Sequence, residues 1–333
     1  MHRGNHGPSV ARPRVGTRRR RRRRLPAGRP LRGADPVERR ARHRDHDLGA
    51  PARPGRGHLL RAVCVVSASA VGEEGDAAQA RVRCVEAEGV VRITLDAPER
   101  GNSLDAPMLA RLEELLRGLD EGVRVVLLEG AGPRAFCTGY HVPSLLAELE
   151  AGPSVTDFEA HPLERALRAL DAVPVPTVAV VGGNAYGAGC ELAIACDLRL
   201  AAEEARFCMP PARLGVLYSA TGIRRLLELV GPALCREMLY TAEPVDAQRA
   251  LAAGLANRVV PRERLDEFAA RFARTVADNA PLSLRHTKTI LRRFLAPPAL
   301  DAAALAEVAR LRAECFASEE FRKRAARLGG RRP

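Results

Sequence analysis

Tryptophan is absent from this chain of 333 residues, and aromatic residues make up only 4% of it. A core must therefore be built from Leu, Val, Ile and Ala. A surface that stacks exposed nucleobases is disfavoured, because such surfaces depend on aromatic platforms. None of the eight cysteines (Cys64, Cys84, Cys137, Cys190, Cys196, Cys208, Cys235 and Cys315) forms a CxxC pair. Their scatter fits small buried thiols in a reducing compartment better than a disulfide framework. No run of 18 apolar residues occurs, so no transmembrane helix and no membrane insertion are expected. Ala62–Val71 resembles the apolar part of a signal peptide but begins far later than such a signal does. A cytoplasmic location is the expectation.

The net charge of +13 is not spread evenly. Residues 1–62 hold 19 Arg and no Lys, against Asp35, Glu38, Asp45 and Asp47. The remainder is therefore close to neutral, and the basicity belongs to a tail. Residues 1–79 combine Arg, Pro and Gly with little hydrophobic periodicity, so they are expected to be disordered. The block Arg18–Arg24 is read as a solvated tail rather than a nucleic-acid contact. Five His lie in the tail, which leaves His141, His161 and His286 for chemistry.

Order is expected from about Arg81. Val82 and Cys84, then Val91, Ile93 and Leu95, alternate as half-buried strands do, with Glu88–Gly89 marking a hairpin between them. Asp105 before Ala106–Pro107 reads as an N-cap with a first-turn proline. Leu109, Leu112, Leu115, Leu116 and Leu119 follow at helical spacing. Val123–Leu128 and Thr177–Val181 read as buried strands, and Leu198–Ala201 as a short one. From Gly222 the pattern is mostly helical, over Ile223–Leu229, Ala233–Leu239, Ala247–Ala253, Arg262–Asn279, Leu282–Phe294 and Ala302–Ala317. Strands alternating with helices, then helices alone, indicate an α/β class with a helical C-terminal region.

The segment Val178–Asp197 is the richest in chemistry. A strand feeds a glycine-rich loop, and the loop feeds a helix starting near Gly189. Glycines allow left-handed backbone and close ligand approach. A helix N-terminus presents unpaired N–H groups with partial positive charge, an arrangement that can hold an oxyanion. A Walker loop is excluded because no Lys-Ser/Thr follows the glycines. A dinucleotide fingerprint fails because Leu192 stands where a third small residue is required. A structural tight turn remains open on this segment alone.

Two further segments bear on it. Val123–His141 is a strand followed by a loop with Phe136, Gly139 and Tyr140. Phe207–Gly222 contains Met209–Pro210–Pro211 and Tyr218. With Gly101–Leu104, the GAGCEL stretch through Glu191–Leu192, Cys196–Asp197, and Asp246–Ala247 leading to Ala253–Leu255, these resemble the crotonase superfamily, the enoyl-CoA hydratase/isomerase family. The resemblance runs from about Arg81 to the C-terminal helices. It implies a ββα spiral over residues 80–265, a helical region over 266–333 used in trimerisation and coenzyme A contact, and homotrimers or hexamers.

The resemblance also implies a site. The acyl-CoA thioester oxygen would be held by the backbone amides of Tyr140 and Ala188. Glu191 matches the first of two catalytic glutamates, whereas the second position is Pro211, which can neither give a proton nor order water. Tyr218 and His141 are the candidates to assist. Gly139, Gly187 and Gly189 would shape the acyl pocket, and Lys288 would approach the phosphates of coenzyme A. No metal and no dissociable redox cofactor are implied. The expected activity is processing of an acyl-CoA thioester, most closely enoyl-CoA hydration through an enolate-like intermediate. The alternatives are a family decarboxylase or thioester hydrolase, or a crotonase-fold scaffold that has lost activity.

Overall fold

A computed structural model describes residues 81–151, 161–295 and 302–328. The tail expected over 1–79 lies outside the described residues, as does Cys64. The chain divides into Met1–Gly57 and His58–Pro333, and every described residue belongs to the second unit.

The first hairpin pairs β1 (Val82–Ala87) with β2 (Val90–Leu95) antiparallel, turning at Glu88–Gly89, both with positive φ. Helix α1 (Ala106–Arg117) follows, with the Asp105 carboxylate accepting the Met108 N–H at 3.0 Å. The chain then repeats one motif. A strand enters a large sheet, a short strand enters a small sheet, and a helix covers the join. The pairs are β3 (Val125–Gly130) with β4 (Ala135–Cys137), β5 (Thr177–Val181) with β6 (Asn184–Tyr186), and β7 (Leu198–Ala202) with β8 (Arg206–Cys208). After β4 come α2 (Val142–Ala151) and α3 (Pro162–Ala172), and after β6 comes α4 (Ala188–Ala195). After β8 come α5 (Pro211–Leu214) and α6 (Ala220–Thr241). A last strand pair, β9 (Val245–Asp246) and β10 (Arg258–Val260), flanks α7 (Ala247–Ala252). The large sheet has the order β1-β2-β3-β5-β7-β10 and the small one β4-β6-β8-β9. This is the ββα spiral.

The three central strands are buried on both faces, and successive residues therefore serve different cores. Val125, Leu127, Val178, Val180, Leu200 and Ala202 face helix α8 (Arg262–Ala277), which presents Leu265, Ala269 and Ala273 at one-turn spacing. Val126, Leu128, Ala179, Val181 and Ala201 face the opposite core, shared with α1, α3 and α4. Because α8 covers the sheet, the expected boundary at 265/266 falls inside a helix of the α/β core.

The remaining helices are α9 (Pro281–Leu295), α10 (Ala302–Ala317) and α11 (Glu319–Leu328). The separate helices expected over Ile223–Leu229 and Ala233–Leu239 are present as the two halves of α6, divided by the non-helical Gly231 (φ 71°) before Pro232. Helices α2, α3 and α11 and the short strands β4, β6 and β8 are not among the elements expected from the sequence, although Ala166, Leu167, Ala169 and Leu170 recur at helical spacing on the buried face of α3. Among the described residues no helix is long and apolar enough to cross a membrane.

Candidate active site

Two glycine-containing loops abut where the short strands end. Gly187, with φ of 54°, carries the chain from β6 into α4, so that Ala188 is the first helical residue. Its N–H therefore has no intrahelical carbonyl to meet. Gly139, with φ of 104°, precedes Tyr140 after β4. A Cβ on Gly139 would lie 3.0 Å from the Tyr186 carbonyl oxygen and 3.5 Å from the Ala188 nitrogen. Only glycine permits that approach. Tyr140 bridges Leu104 in parallel fashion. The Leu104 N–H donates to the Gly139 carbonyl at 2.8 Å, and the His141 N–H donates to the Leu104 carbonyl at 2.7 Å. Backbone groups alternate in direction along a strand, so the Tyr140 N–H faces away from Leu104.

These loops line a cavity of about 340 Å³, the size of a small-molecule site. Its walls are mainly apolar, with Val142, Leu145, Leu163, Val216, Leu217 and Phe316 among them. Gly139, Tyr140, Gly187, Ala188, Glu191, Pro211 and Tyr218 all meet there, as expected from the sequence.

Glu191 projects from the first turn of α4 and is 1% exposed. Ser219 Oγ donates a hydrogen bond to Glu191 Oε1 at 3.1 Å, and Arg225 Nη1 stands 3.9 Å from the same oxygen. Burial, reinforced by the negative charge of Glu164, raises the Glu191 carboxyl to about 7, against the pull of Arg225, Ser219 and Arg312. A carboxyl there exchanges protons at neutral pH in either direction. Gly222 makes room for it, since a Cβ at that position would come within 2.4 Å of Glu191 Oε1.

Tyr218 faces the Gly187 loop. Its hydroxyl is 3.8 Å from where a Gly187 Cβ would stand. Burial, with Glu191 adding, pushes the phenol well above its ordinary range, so it stays protonated and can donate. Pro211 opens α5 and its ring lines the cavity, so the wall at that point is apolar.

Three expectations are corrected. Gly189 is not among the residues that line the cavity. A Cβ there would meet the Cys137 carbonyl oxygen at 2.1 Å, so the glycine lets α4 pack on β4. His141 lies outside the cavity lining, with Nδ1 2.9 Å from Ser144 Oγ. Lys288 is buried, donating to the Val175 carbonyl at 2.8 Å and pairing with Asp197 at 2.5 Å. Its charge is committed to anchoring α9, away from the cavity.

Other residues line the cavity: His161, one of the three histidines left for chemistry, and Glu164 and Arg312, which sequence reasoning did not single out. His161 caps α3 by accepting the Leu163 N–H at 3.2 Å, and its ring is 5.5 Å from that of Tyr140. Burial, aided by Arg312, lowers it to about 4, so it is neutral. Glu164 and Arg312 arrive from α3 and α10. Burial lowers Arg312 to about 10, while the charges of Glu164 and Glu191 work to keep it protonated. The capping pattern Ser219–Ala220–Thr221–Gly222 at the start of α6 was legible in principle. Glu164 and Arg312 had no local signal. Among the described residues no group of three or more His, Cys, Asp or Glu is placed to hold a metal ion.

A ββα spiral with a buried glutamate below two abutting glycine loops is the arrangement of the crotonase-type enzymes. The family profile for enoyl-CoA hydratase/isomerase matches residues 85–329. A probable enoyl-CoA hydratase of Mycobacterium tuberculosis is 37% identical over 207 residues, covering 62% of this chain and 80% of that protein. A short-chain-enoyl-CoA hydratase of Clostridium acetobutylicum is 30% identical over 243 residues, covering 71% of this chain and 90% of that protein. A crystal structure of methylmalonyl-CoA decarboxylase superposes with a TM-score of 0.67 at 26% identity, covering 76% of this chain and 96% of the other. An enoyl-CoA hydratase/carnithine racemase structure from Magnetospirillum magneticum gives 0.62 at 30% identity, covering 76% of this chain and 94% of the other. The chain belongs to the enoyl-CoA hydratase/isomerase family.

Proposed function

We propose that this protein is an enoyl-CoA hydratase-like enzyme that adds water across the double bond of an acyl-CoA thioester. The observation that carries the reading is Glu191, a buried carboxyl raised to about 7 beside the amides of Tyr140 and Ala188 in one cavity. The two amides would hold the thioester oxygen as charge develops on it. Oxyanion donors of this kind contribute about 3 kcal/mol each. Glu191 takes a proton from water, whose oxygen bonds to Cβ as the Cα=Cβ electrons shift towards the thioester oxygen. The same proton is then returned to Cα. One water is consumed, and no further reactant is required. Tyr218, held protonated, would donate to the substrate from the oxyanion side. The relatives named as enoyl-CoA hydratases support this assignment.

The protein is proposed to act as a trimer or a pair of trimers in the cytoplasm. Ile290, Leu291, Phe294 and Leu295 on α9 are exposed apolar residues, which supports burial against another copy. Sedimentation at micromolar concentration is expected to give a multiple of three.

A panel of CoA thioesters tests the activity, with Glu191→Gln as the control. Crotonyl-CoA hydration is expected in the native protein. In the variant it should fall by about 10²–10⁴-fold with KM nearly unchanged. Methylmalonyl-CoA belongs in the panel because Pro211 removes the second carboxylate. Turnover of that compound in place of enoyl thioesters would replace hydration by decarboxylation.

A further inference from the structure

A buried general base must be able to lose its proton. Glu191 ends a turnover as it began, but with its carboxyl raised to about 7 part of it is protonated at neutral pH, and once an acyl chain fills the apolar cavity that proton has no direct path to bulk water. We propose that Glu164 is the proton reservoir of the site, exchanging protons with Glu191 through the hydroxyls of Thr221 and Ser219. The proposal rests on the hydratase-like reading above.

The geometry is a continuous chain of oxygens. Glu164 Oε2 is 3.4 Å from Thr221 Oγ1, Thr221 Oγ1 is 3.1 Å from Ser219 Oγ, and Ser219 Oγ is 3.1 Å from Glu191 Oε1. It runs outward from a buried carboxyl to an exposed threonine and a half-buried glutamate, where protons exchange with solvent. The donor accounting fixes its direction. Ser219 Oγ already accepts the Gly222 N–H at 2.9 Å, because Ser219 caps α6. A hydroxyl has one proton and two lone pairs. Ser219 can therefore accept from both Gly222 and Thr221 while giving its single proton to Glu191. Thr221, donating to Ser219, has a lone pair left for a protonated Glu164.

Transfer then needs three concerted hops. The Glu164 proton bonds to Thr221 Oγ1, the Thr221 proton bonds to Ser219 Oγ, and the Ser219 proton bonds to Glu191. Each O–H bond broken is matched by one formed, each hydroxyl keeps one proton but now points it back toward Glu164, and the net change is one proton moved from Glu164 to Glu191. The reverse sequence empties Glu191. The long link is the outermost one, at the exposed end, where side-chain rotation closes a few tenths of an ångström on a ps–ns timescale. The other charged groups facing the pair are Arg225 from α6 and Arg312 from α10, with Tyr218 and His161 as the neutral titratable neighbours. Arg312 lies between the two carboxylates electrostatically, being influenced by both. Glu164 and Thr221 touch no reacting atom and act through Glu191.

The test compares Glu164→Gln, Thr221→Val and Thr221→Ser with native enzyme and Glu191→Gln, reading crotonyl-CoA hydration and deuterium uptake at Cα from D2O across pH 5–9. Thr221→Val and Glu164→Gln are expected to lower kcat by about tenfold with KM within twofold, and Thr221→Ser to restore it. The native kcat–pH curve should rise as Glu191 loses its proton at about 7. If Thr221→Val and Glu164→Gln keep native rates and pH curves while Glu191→Gln is inactive, the relay is overturned and the hydratase-like reading stands. If native enzyme turns over no thioester, that reading falls, and the relay is judged in the free protein by ¹³C-glutamate NMR. An upward shift of the Glu191 titration in Thr221→Val, undone in Thr221→Ser, supports the hydroxyl chain, and an unmoved titration overturns it.

Discussion

Replacing Glu191 by glutamine should make the protein more stable at alkaline pH while destroying its activity. The wild-type carboxyl titrates at about 7 in the fold, against 4.5 for an ordinary glutamate. A group raised in this way favours the folded state fully below the unfolded value, and that benefit is lost as pH rises through the folded one. Between the two values the native state holds a proton that the unfolded chain has released. Unfolding free energy therefore falls by about 1.4 kcal/mol per pH unit there. Over the whole interval the loss is about 3 kcal/mol for a fully buried group. Its cause is chiefly burial without full compensation, with Glu164 adding like charge. Glutamine keeps the shape and can accept the Ser219 hydroxyl, but carries no charge to desolvate. Urea unfolding of both proteins from pH 5 to 8.5 should show the stability difference moving by about 3 kcal/mol in favour of the variant. A constant difference across that range would refute the reasoning, because Glu191 would then ionise as easily in the fold as in water.

Three further outcomes follow from the same geometry. Gly222→Ala should leave the melting temperature close to native, since alanine favours helix, yet lower kcat by about 10²-fold, because its Cβ displaces the Glu191 carboxylate by the order of 1 Å. A crystal structure or Glu191 NMR shift would check the displacement. Lys288→Met should cost about 1–3 kcal/mol by leaving the Val175 carbonyl without its donor, with KM for the CoA thioester unchanged. A tenfold rise in KM without loss of stability would return Lys288 to the phosphate-binding role. Pro211→Glu should raise crotonyl-CoA hydration by up to about tenfold, since a carboxylate there lines the cavity opposite Glu191. The gain is limited by freeing a fixed φ and by like-charge repulsion with Glu191, and steady-state rates with a folded control decide it.

The sequence by itself determined the parts of this protein that depend on local pattern. Alternation in Val82–Leu95, the Asp105 cap, the leucine spacing of α1 and the apolar runs of β3 and β5 each specify an element, because burial on one or two faces imposes a period. The order of glycines around Gly139 and Gly187, with Glu191 one turn into a helix, located the two loops and the buried carboxylate that line the cavity. Backbone conformation at those positions requires residues without a Cβ, and that requirement is written in the sequence. What the spacing could not convey was the meeting of distant side chains. Glu164 and Arg312 are separated from Glu191 along the chain and reach its cavity only because α3 and α10 pack around it. His141 and Lys288 look as suitable as any residue for binding a ligand, yet packing turns one aside and buries the other against Asp197 and Val175. Glycine at 189 looks like its neighbours in the loop, and only the approach of α4 to the Cys137 carbonyl shows that it serves a helix–strand contact. The tertiary structure decided these points because burial and electrostatic neighbourhood, unlike helical or strand period, are properties of the folded chain and leave no mark at fixed spacing in the sequence.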